Sequence, residues 1–319
     1  MTSQEKFIAV MEGRPVTGLV PHFELAFFLT MEAFGRIHPL QRVYNQWGQM
    51  SDSERKLHID DIASLYVAIA RKYDHCAIFF QHVAGWDEEA HRRCMDRMQE
   101  LYQEPCNIMM HADSTFELPS GNDMMAFSVR MIEDPNGLKQ EAEKRLADAV
   151  ACAKRMKKWN NINTLALCAD YCFNTNPFFS PVQFEEFVYP YLKRLIEAYR
   201  ELGFYVIKHT DGNIMPILDM LIDANPHALH SLDPQGGVDI AEVKRIVDGR
   251  ISLIGNVNCG ALQTGTDDEV ESSVRYALKS GMPGFRYIFS TSNCVYTGMD
   301  LARYETMLQL WQKYGRYQG

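Results

Sequence analysis

Short apolar runs alternate along the chain with longer segments that have the apolar period of a helix. The short runs are rich in branched and aromatic residues, as β-strands are. They occupy 19–27, 75–83, 106–112, 164–173, 204–210, 228–233, 251–259 and 287–294. Segments with apolar residues at i, i+3, i+4 and i+7 lie between them, at 60–73, 138–159, 184–203, 215–226, 239–249 and 267–281. Strands alternating with crossover helices form parallel sheets, and eight strands favour a closed (β/α)8 TIM barrel.

Residues that typically end helices close the helical segments in the second half of the chain. Gly203, Asn225-Pro226, Gly249 and Gly281 each follow or close a helical segment shortly before a strand. Residues 28–60 do not fit the alternation, and we interpret them as a helical insertion near the barrel mouth. Barrels often reach this length as one unit, so we predict that residues 1–319 form a single domain.

Composition excludes several classes of partner. The formal charge is −9, from 32 Lys and Arg against 41 Asp and Glu, so there is no overall basic field to attract nucleic acid or an anionic membrane surface. The N-terminal stretch MTSQEKFIAVMEGRP contains no continuous apolar run, so we expect a cytoplasmic protein without a signal peptide or membrane span. The eight cysteines are widely spaced, which indicates reduced thiols rather than a disulfide framework.

Metal-ligand residue types end the last four predicted strands. His209 and Asp211 end the fifth strand, Asp233 the sixth, Cys259 the seventh and Cys294 the eighth. Strand ends meet at the mouth of a barrel, where active sites are built, and imidazole, carboxylate and thiolate are the usual ligands of zinc. Taken singly, each has a structural explanation: Asp-Gly and Asp-Pro are common turns, and a cysteine can be core filler. Together they predict a zinc site.

Other polar residues also come late in their strands. Asp170 precedes an aromatic loop in which Ser180-Pro181 can cap and open the next helix, and we count it with His209 and Asp211 as catalytic. The candidates for substrate contacts are Glu24, His82, His111, Tyr171 and Asn256. For His82 and His111 the alternative is a hydrogen-bonded histidine at the barrel rim.

Several of these segments resemble the uroporphyrinogen decarboxylase superfamily, and within it the zinc-dependent methyltransferases that serve corrinoid proteins. The similarity covers nearly the whole chain. It is carried by EKFIAVMEGRPV (5–16), DYCFNTNPFFSPVQFEEFVYPYLKRLIE (170–197), KHTDGNI (208–214), LIGNVNCGAL (253–262) and FSTSNCVYTGMDLARYETML (289–308).

Two departures narrow the resemblance. The decarboxylases carry an arginine-rich N-terminal motif for a polycarboxylate tetrapyrrole, whereas the matching VTGLVPHFELAFFL (16–29) has no arginine. The methyl-coenzyme M branch has a motif similar to His-x-Cys, where this chain has His209-Thr-Asp211. Asp233, Cys259 and Cys294 instead resemble the ligand pattern of the first methyltransferase of anaerobic aryl-methyl-ether O-demethylases.

The resemblance implies a methyltransferase with Zn²⁺ as cofactor that moves a methyl group from a small O-methyl donor, a methoxylated aromatic, to Co(I) corrinoid (cobalamin). No Asp-x-His-x-x-Gly corrinoid motif occurs in the chain, so a separate corrinoid-binding protein is the expected partner, and a homodimer is compatible with the pattern. Asp233, Cys259 and Cys294 are then expected to bind zinc directly, with His209 as a fourth ligand or as a hydrogen-bond partner of the leaving oxygen. The alternatives are methyl transfer from methylcorrinoid to a thiol, a metal-free decarboxylase-like lyase, and a non-catalytic corrinoid-binding chaperone.

Overall fold

Seven parallel strands form one curled sheet in the computed structural model, which describes residues 1–317. Each strand pairs with the next along the chain, in the order β1 to β7. The bounds are β1 Ile78–Phe80, β2 Ile108–His111, β3 Thr164–Leu167, β4 Tyr205–Thr210, β5 Ala228–Ser231, β6 Ser252–Val257 and β7 Tyr287–Thr291. These match seven of the eight predicted strands, and the architecture is that of a TIM barrel whose ladder is not fully closed.

The prediction of a first strand at 19–27 is wrong. Its backbone lies between β1 and β7 but makes only isolated bridges, among them those from His22 to His75 and to Phe289. Two features interrupt the ladder: Pro21 has no N–H to donate, and the Thr291 amide of β7 donates to the Glu24 side chain at 3.2 Å rather than to a backbone carbonyl.

Thirteen α-helices connect and flank the strands in the described part of the chain. They are α1 Ser3–Met11, α2 Thr30–Phe34, α3 Asp52–Lys72, α4 Glu88–Tyr102, α5 Met124–Glu133, α6 Pro135–Met156, α7 Pro181–Phe187, α8 Tyr189–Glu201, α9 Leu218–Asp223, α10 Ile240–Val247, α11 Cys259–Thr264, α12 Asp267–Gly281 and α13 Leu301–Tyr314. The predicted segment 184–203 is divided into α7 and α8, because Pro190 cannot donate the backbone hydrogen bond that a continuous helix needs.

The predicted helix stops and insertion are confirmed. Gly203, Asn225 and Gly249 adopt φ values of 77°, 60° and 71°, the left-handed conformation that ends a helix. The insertion contains α2, two short 3-10 turns and the start of α3. Its residues Phe28 and Leu40 line a cavity at the barrel mouth.

Two apolar layers hold the fold together. Ile207, Ala228, Ile254 and Ile288 project into the barrel, where α1 packs beneath them. The larger layer fills the space between the sheet and the surrounding helices. All eight cysteines are free. Among residues 1–317, no helix combines the length and apolarity needed to cross a membrane.

Candidate active site

The inward-facing residues of the strands change from apolar to polar at the carboxyl end of the barrel. Side chains alternate along a strand, so His209 follows Ile207 on the inner side of β4, and His230 follows Ala228 on β5. Ser290 follows Ile288 in the same way. The strand pattern thereby brings a polar layer to the floor of the mouth.

Asp170, His209 and Asp211 form a compact cluster in this layer. One potential ligand atom from each lies within 4.8 Å of the other two. His209 Nε2 is 3.8 Å from Asp170 Oδ1 and 3.7 Å from Asp211 Oδ1. In residues 1–317 it is the one group of three or more His, Cys, Asp or Glu ligand atoms gathered this closely. The three residues predicted to be catalytic are therefore brought together and could hold a metal ion.

Neighbouring groups fix both carboxylates of the cluster. The Asp211 amide donates to Asp170 Oδ1 at 2.9 Å. Ser231 Oγ donates to Asp211 Oδ1 at 2.6 Å, and Asn293 Nδ2 donates to Asp211 Oδ2. Burial raises the pKa of Asp211, although the adjacent His209 opposes this shift. A cation at the cluster would favour the ionised carboxylate.

His230 is a site residue that sequence reasoning missed. Its Nδ1 lies 2.7 Å from His209 Nδ1, and both side chains are buried. In this hydrogen bond one Nδ1 is protonated and donates, and the other is unprotonated and accepts. The contact therefore couples the tautomers of the two rings, and it leaves His209 Nε2 directed toward the two aspartates. The sequence signal was a histidine inside the predicted strand 228–233, whereas its contact with His209 follows from the register of β4 and β5, in which the two residues are Cα partners.

The end of β5 is conformationally strained. Ser231 and Leu232 both have positive φ, 94° and 54°, which is unfavourable for residues with a Cβ. Asn256 Nδ2 supports the bend by donating to the Leu232 carbonyl at 2.8 Å. Asp233 follows, where burial raises its pKa and its Oδ1 accepts a hydrogen bond from the Gln235 amide at 2.9 Å.

The two predicted thiol ligands are neighbours but are not in the Asp170 cluster. Cys259 Sγ donates to the Cys294 carbonyl at 3.8 Å. Burial raises the pKa of Cys259 to about 11 and that of Cys294 to about 12. Both are protonated at neutral pH unless a metal displaces the proton. Asp233, Cys259 and Cys294 therefore stay a predicted ligand set.

A cavity of about 310 Å³ opens beside the cluster at the mouth of the barrel. Its lining combines apolar side chains with imidazole, amide and thiol groups. Its lining residues are Leu25, Ala26, Phe28, Leu40, Phe79, Gln81, His82, His111, Cys168, His209, Asn293 and Cys294. Burial lowers the pKa of His82 to about 4 and also lowers that of His111, so both imidazoles are neutral at neutral pH.

The remaining predicted substrate contacts lie elsewhere. Glu24 is enclosed below the mouth, where Thr291 Oγ1 donates to its carboxylate at 2.6 Å. Tyr171 is fully buried, with its hydroxyl 2.6 Å from Thr115 Oγ1. Asn256 lines a separate groove of about 670 Å³ together with Gln235 and Asn258.

A buried ion pair beneath the site was also missed. Lys208 Nζ is 2.9 Å from Asp113 Oδ2, and the two side chains are 0% and 2% exposed. Burial disfavours both charges, but their attraction outweighs it, raising the pKa of Lys208 and lowering that of Asp113 to about 2. A lysine inside an otherwise apolar strand was the sequence signal.

The fold and the position of the cluster define a TIM-barrel protein with potential metal ligands at the carboxyl ends of its strands. The family model described as "Uroporphyrinogen decarboxylase (URO-D)" matches residues 123–314. The chain belongs to this family, which confirms the family-level resemblance seen in its sequence.

Solved structures extend the likeness to the whole chain. A methyltransferase from Methanosarcina mazei is 16% identical, with a TM-score of 0.74 over 98% of this chain and 99% of that one. A GH5_18 from Bifidobacterium longum subsp. infantis is 11% identical, with a TM-score of 0.50 over 95% of this chain and 80% of that one. At these identities the likeness concerns the fold. No curated protein sequence matches the chain.

Proposed function

We propose that the chain is a zinc-dependent methyltransferase that moves a methyl group from a methoxylated aromatic compound to the Co(I) corrinoid of a partner protein. The observation that carries this proposal is the Asp170, His209 and Asp211 cluster, which adjoins a cavity that Cys294 also lines. The methyltransferase named in the structural comparison supports methyl transfer as the class of reaction.

The donor atoms of the cluster suit zinc. One imidazole and two carboxylates are common zinc ligands, and bonds of about 2.1 Å at tetrahedral angles separate ligand atoms by about 3.4 Å. The distances from His209 Nε2 to Asp170 and Asp211, 3.8 and 3.7 Å, are close to this separation. Bound zinc would supply a Lewis acid able to polarise an ether oxygen. Cys294 lines the same cavity but is not in the cluster. With Asp233 and Cys259 it belongs to the competing ligand set predicted from the sequence.

The residues of the cavity suit an aromatic ether. Phe28, Leu40 and Phe79 offer apolar surface to a ring, while His111 and Asn293 offer hydrogen bonds. None of the lining residues is Lys or Arg. This lining favours an uncharged aromatic donor over the polycarboxylate substrate of a decarboxylase, because buried carboxylates need cationic partners.

Methyl transfer also needs access for a second protein. The breaking bond joins oxygen and methyl carbon, and the forming bond joins that carbon to the corrinoid cobalt, so the corrinoid must reach the mouth. Leu40 lines the cavity and is 39% exposed, and Ile37 and Val43, three residues before and after it in the insertion, are 50% and 67% exposed. An apolar rim is suited to docking a protein partner.

Metal analysis of single variants tests the ligand assignment. We expect about one zinc per wild-type chain, with at least a tenfold loss of affinity in Asp170→Ala, Asp211→Ala and His209→Ala, because removing one of few ligands breaks the site. Asp219→Ala on the exposed face of α9 is the matched control. If Asp233→Ala and Cys259→Ala lose zinc while Asp170→Ala keeps it, the competing ligand set is correct.

A coupled assay tests the reaction itself. Methoxylated aromatics supplied with Co(I) corrinoid protein should give methylcobalamin absorbance with wild-type protein, and this rate should fall in His209→Ala by roughly 10²–10⁴-fold. Zinc-loaded protein that demethylates no such compound would remove the methyltransferase proposal but leave the metal site standing.

A further inference from the structure

Asp113 and Lys208 both form hydrogen bonds with the backbone of Ala169, the residue immediately before Asp170. Asp113 Oδ2 accepts a hydrogen bond from the Ala169 amide at 2.9 Å. Lys208 Nζ donates to the Ala169 carbonyl at 2.8 Å. The ion pair therefore holds both backbone polar groups of Ala169, where the chain leaves β3 and the regular ladder between β3 and β4 has ended.

The Asp113 and Lys208 pair also interacts with Tyr171, the residue after Asp170. Lys208 Nζ lies 4.1 Å from the centre of the Tyr171 ring. The Tyr171 hydroxyl is 2.6 Å from Thr115 Oγ1, which in turn donates to Asp113 Oδ1 at 2.7 Å. Asp170 is thus the half-buried middle residue of a three-residue segment whose two neighbours are held by one buried network.

We propose that the Asp113 and Lys208 pair positions Asp170 at metal-binding distance from His209. Lys208 and His209 are consecutive in β4 and point to opposite sides of the sheet, so the strand itself links the buried pair to the metal cluster. Through Ala169, the pair sets where Asp170 stands relative to His209. This inference rests on the metal site proposed above, and it assigns positioning roles, without contact to metal or substrate, to Asp113 and Lys208.

Two double variants separate the hydrogen bonds from the charges. Asp113→Leu with Lys208→Met removes both charges and both bonds to Ala169. Asp113→Asn with Lys208→Gln also removes both charges but keeps an acceptor for the Ala169 amide and a donor for its carbonyl. Lys244→Met is the matched control, because Lys244 Nζ donates to the Gly281 carbonyl at 2.8 Å, far along the chain from the cluster.

The readouts are the affinity of the purified protein for Zn²⁺ and the visible absorption of its Co²⁺ complex, neither of which depends on turnover. We expect the Leu and Met pair to bind roughly 10–100-fold more weakly, with altered Co²⁺ bands, as is usual when a supporting shell around metal ligands is lost. The Asn and Gln pair should stay within about threefold of wild type and keep the wild-type spectrum, and Lys244→Met should be unchanged.

A folded Leu and Met variant with wild-type affinity and spectrum would overturn the positioning role, and so would equal losses in both double variants. If the Leu and Met variant does not fold, Thr115→Val provides the milder test, since it removes only the hydroxyl that braces Asp113; unchanged Co²⁺ bands there would contradict the proposal. Asp170→Ala, measured in parallel, separates the proposed metal site from the proposed positioning role. If this variant binds Zn²⁺ as tightly as wild type, the metal assignment fails. If it binds Zn²⁺ more weakly while the double variants do not, only the positioning role is contradicted.

Discussion

Glu24 shows how burial determines the behaviour of a single residue in this molecule. Its carboxyl group is fully enclosed, with Ser290 and Thr291 as hydrogen-bond donors. Burial raises its pKa from 4.5 to about 8, and the bonds from Thr291 only partly oppose that shift. The side chain is therefore protonated at neutral pH, and it joins the N-terminal segment to β7 beneath the mouth.

The raised pKa of Glu24 makes stability depend on pH with a definite sign. Between pH 4.5 and 8 the folded chain keeps this proton and the unfolded chain loses it, so the Glu24 contribution to stability falls as pH rises and levels off above about 8. Urea titration at pH 5.5 and 7.5 gives the free energy of unfolding of wild type and of Glu24→Gln. Relative to wild type, the free energy of unfolding of the variant should rise by up to about 1.4 kcal/mol per pH unit. A difference independent of pH would show that Glu24 ionises normally.

At the scale of elements, α7 illustrates a local signal that the tertiary structure preserves. Ser180 Oγ accepts a hydrogen bond from the Gln183 amide at 3.3 Å, and the Gln183 side chain accepts one from the Ser180 amide at 3.0 Å. Pro181 occupies the first position of the helix. This capping box confirms the helix start predicted from Ser180-Pro181, because all its partners lie within one turn.

Removing this cap should destabilise the protein measurably. Ser180→Ala leaves amide groups of the first turn without a partner, and we expect the free energy of unfolding to fall by about 1 kcal/mol. Denaturant titration checks this value. Ser53→Ala, an exposed serine in the first turn of α3, serves as control and should change the free energy by less than about 0.5 kcal/mol. Equal effects of the two substitutions would contradict the capping role.

At the scale of the whole molecule, the mouth cavity predicts which methyl donors the proposed methyltransferase prefers. Because no Lys or Arg lines it and His82 is neutral, an ionised carboxylate that does not reach the proposed zinc would be desolvated there without a cationic partner. We expect kcat/KM for 3-methoxyphenol to exceed that for 3-methoxybenzoate at least about tenfold, which corresponds to roughly 1.4 kcal/mol in the transition state.

Leu40→Arg adds a cation to the cavity wall and should narrow this ratio. Val43→Arg adds the same charge to an exposed position three residues away, outside the cavity lining, and should leave the ratio nearly unchanged. Wild-type preference for the carboxylated ether would show that the neutral lining does not control selection.

Local and periodic information in the sequence was enough to predict most of the architecture. Seven strands, the long helices and the helix stops at Gly203, Asn225 and Gly249 follow from apolar period and from the backbone preferences of residues near in sequence. The position of His209 and Asp211 at a strand end was predictable for the same reason.

Only the tertiary structure decided which of these strand-end groups meet. Asp170 and His209 are 39 residues apart, and Asp113 and Lys208 are 95 residues apart. Their distances depend on how the strands stagger and bend at the mouth, as at Ser231 and Leu232, and no short-range pattern encodes those bends. The strand expected at 19–27 failed for the same physical reason: Glu24 competes for a β7 amide that comes within reach only after the barrel has formed.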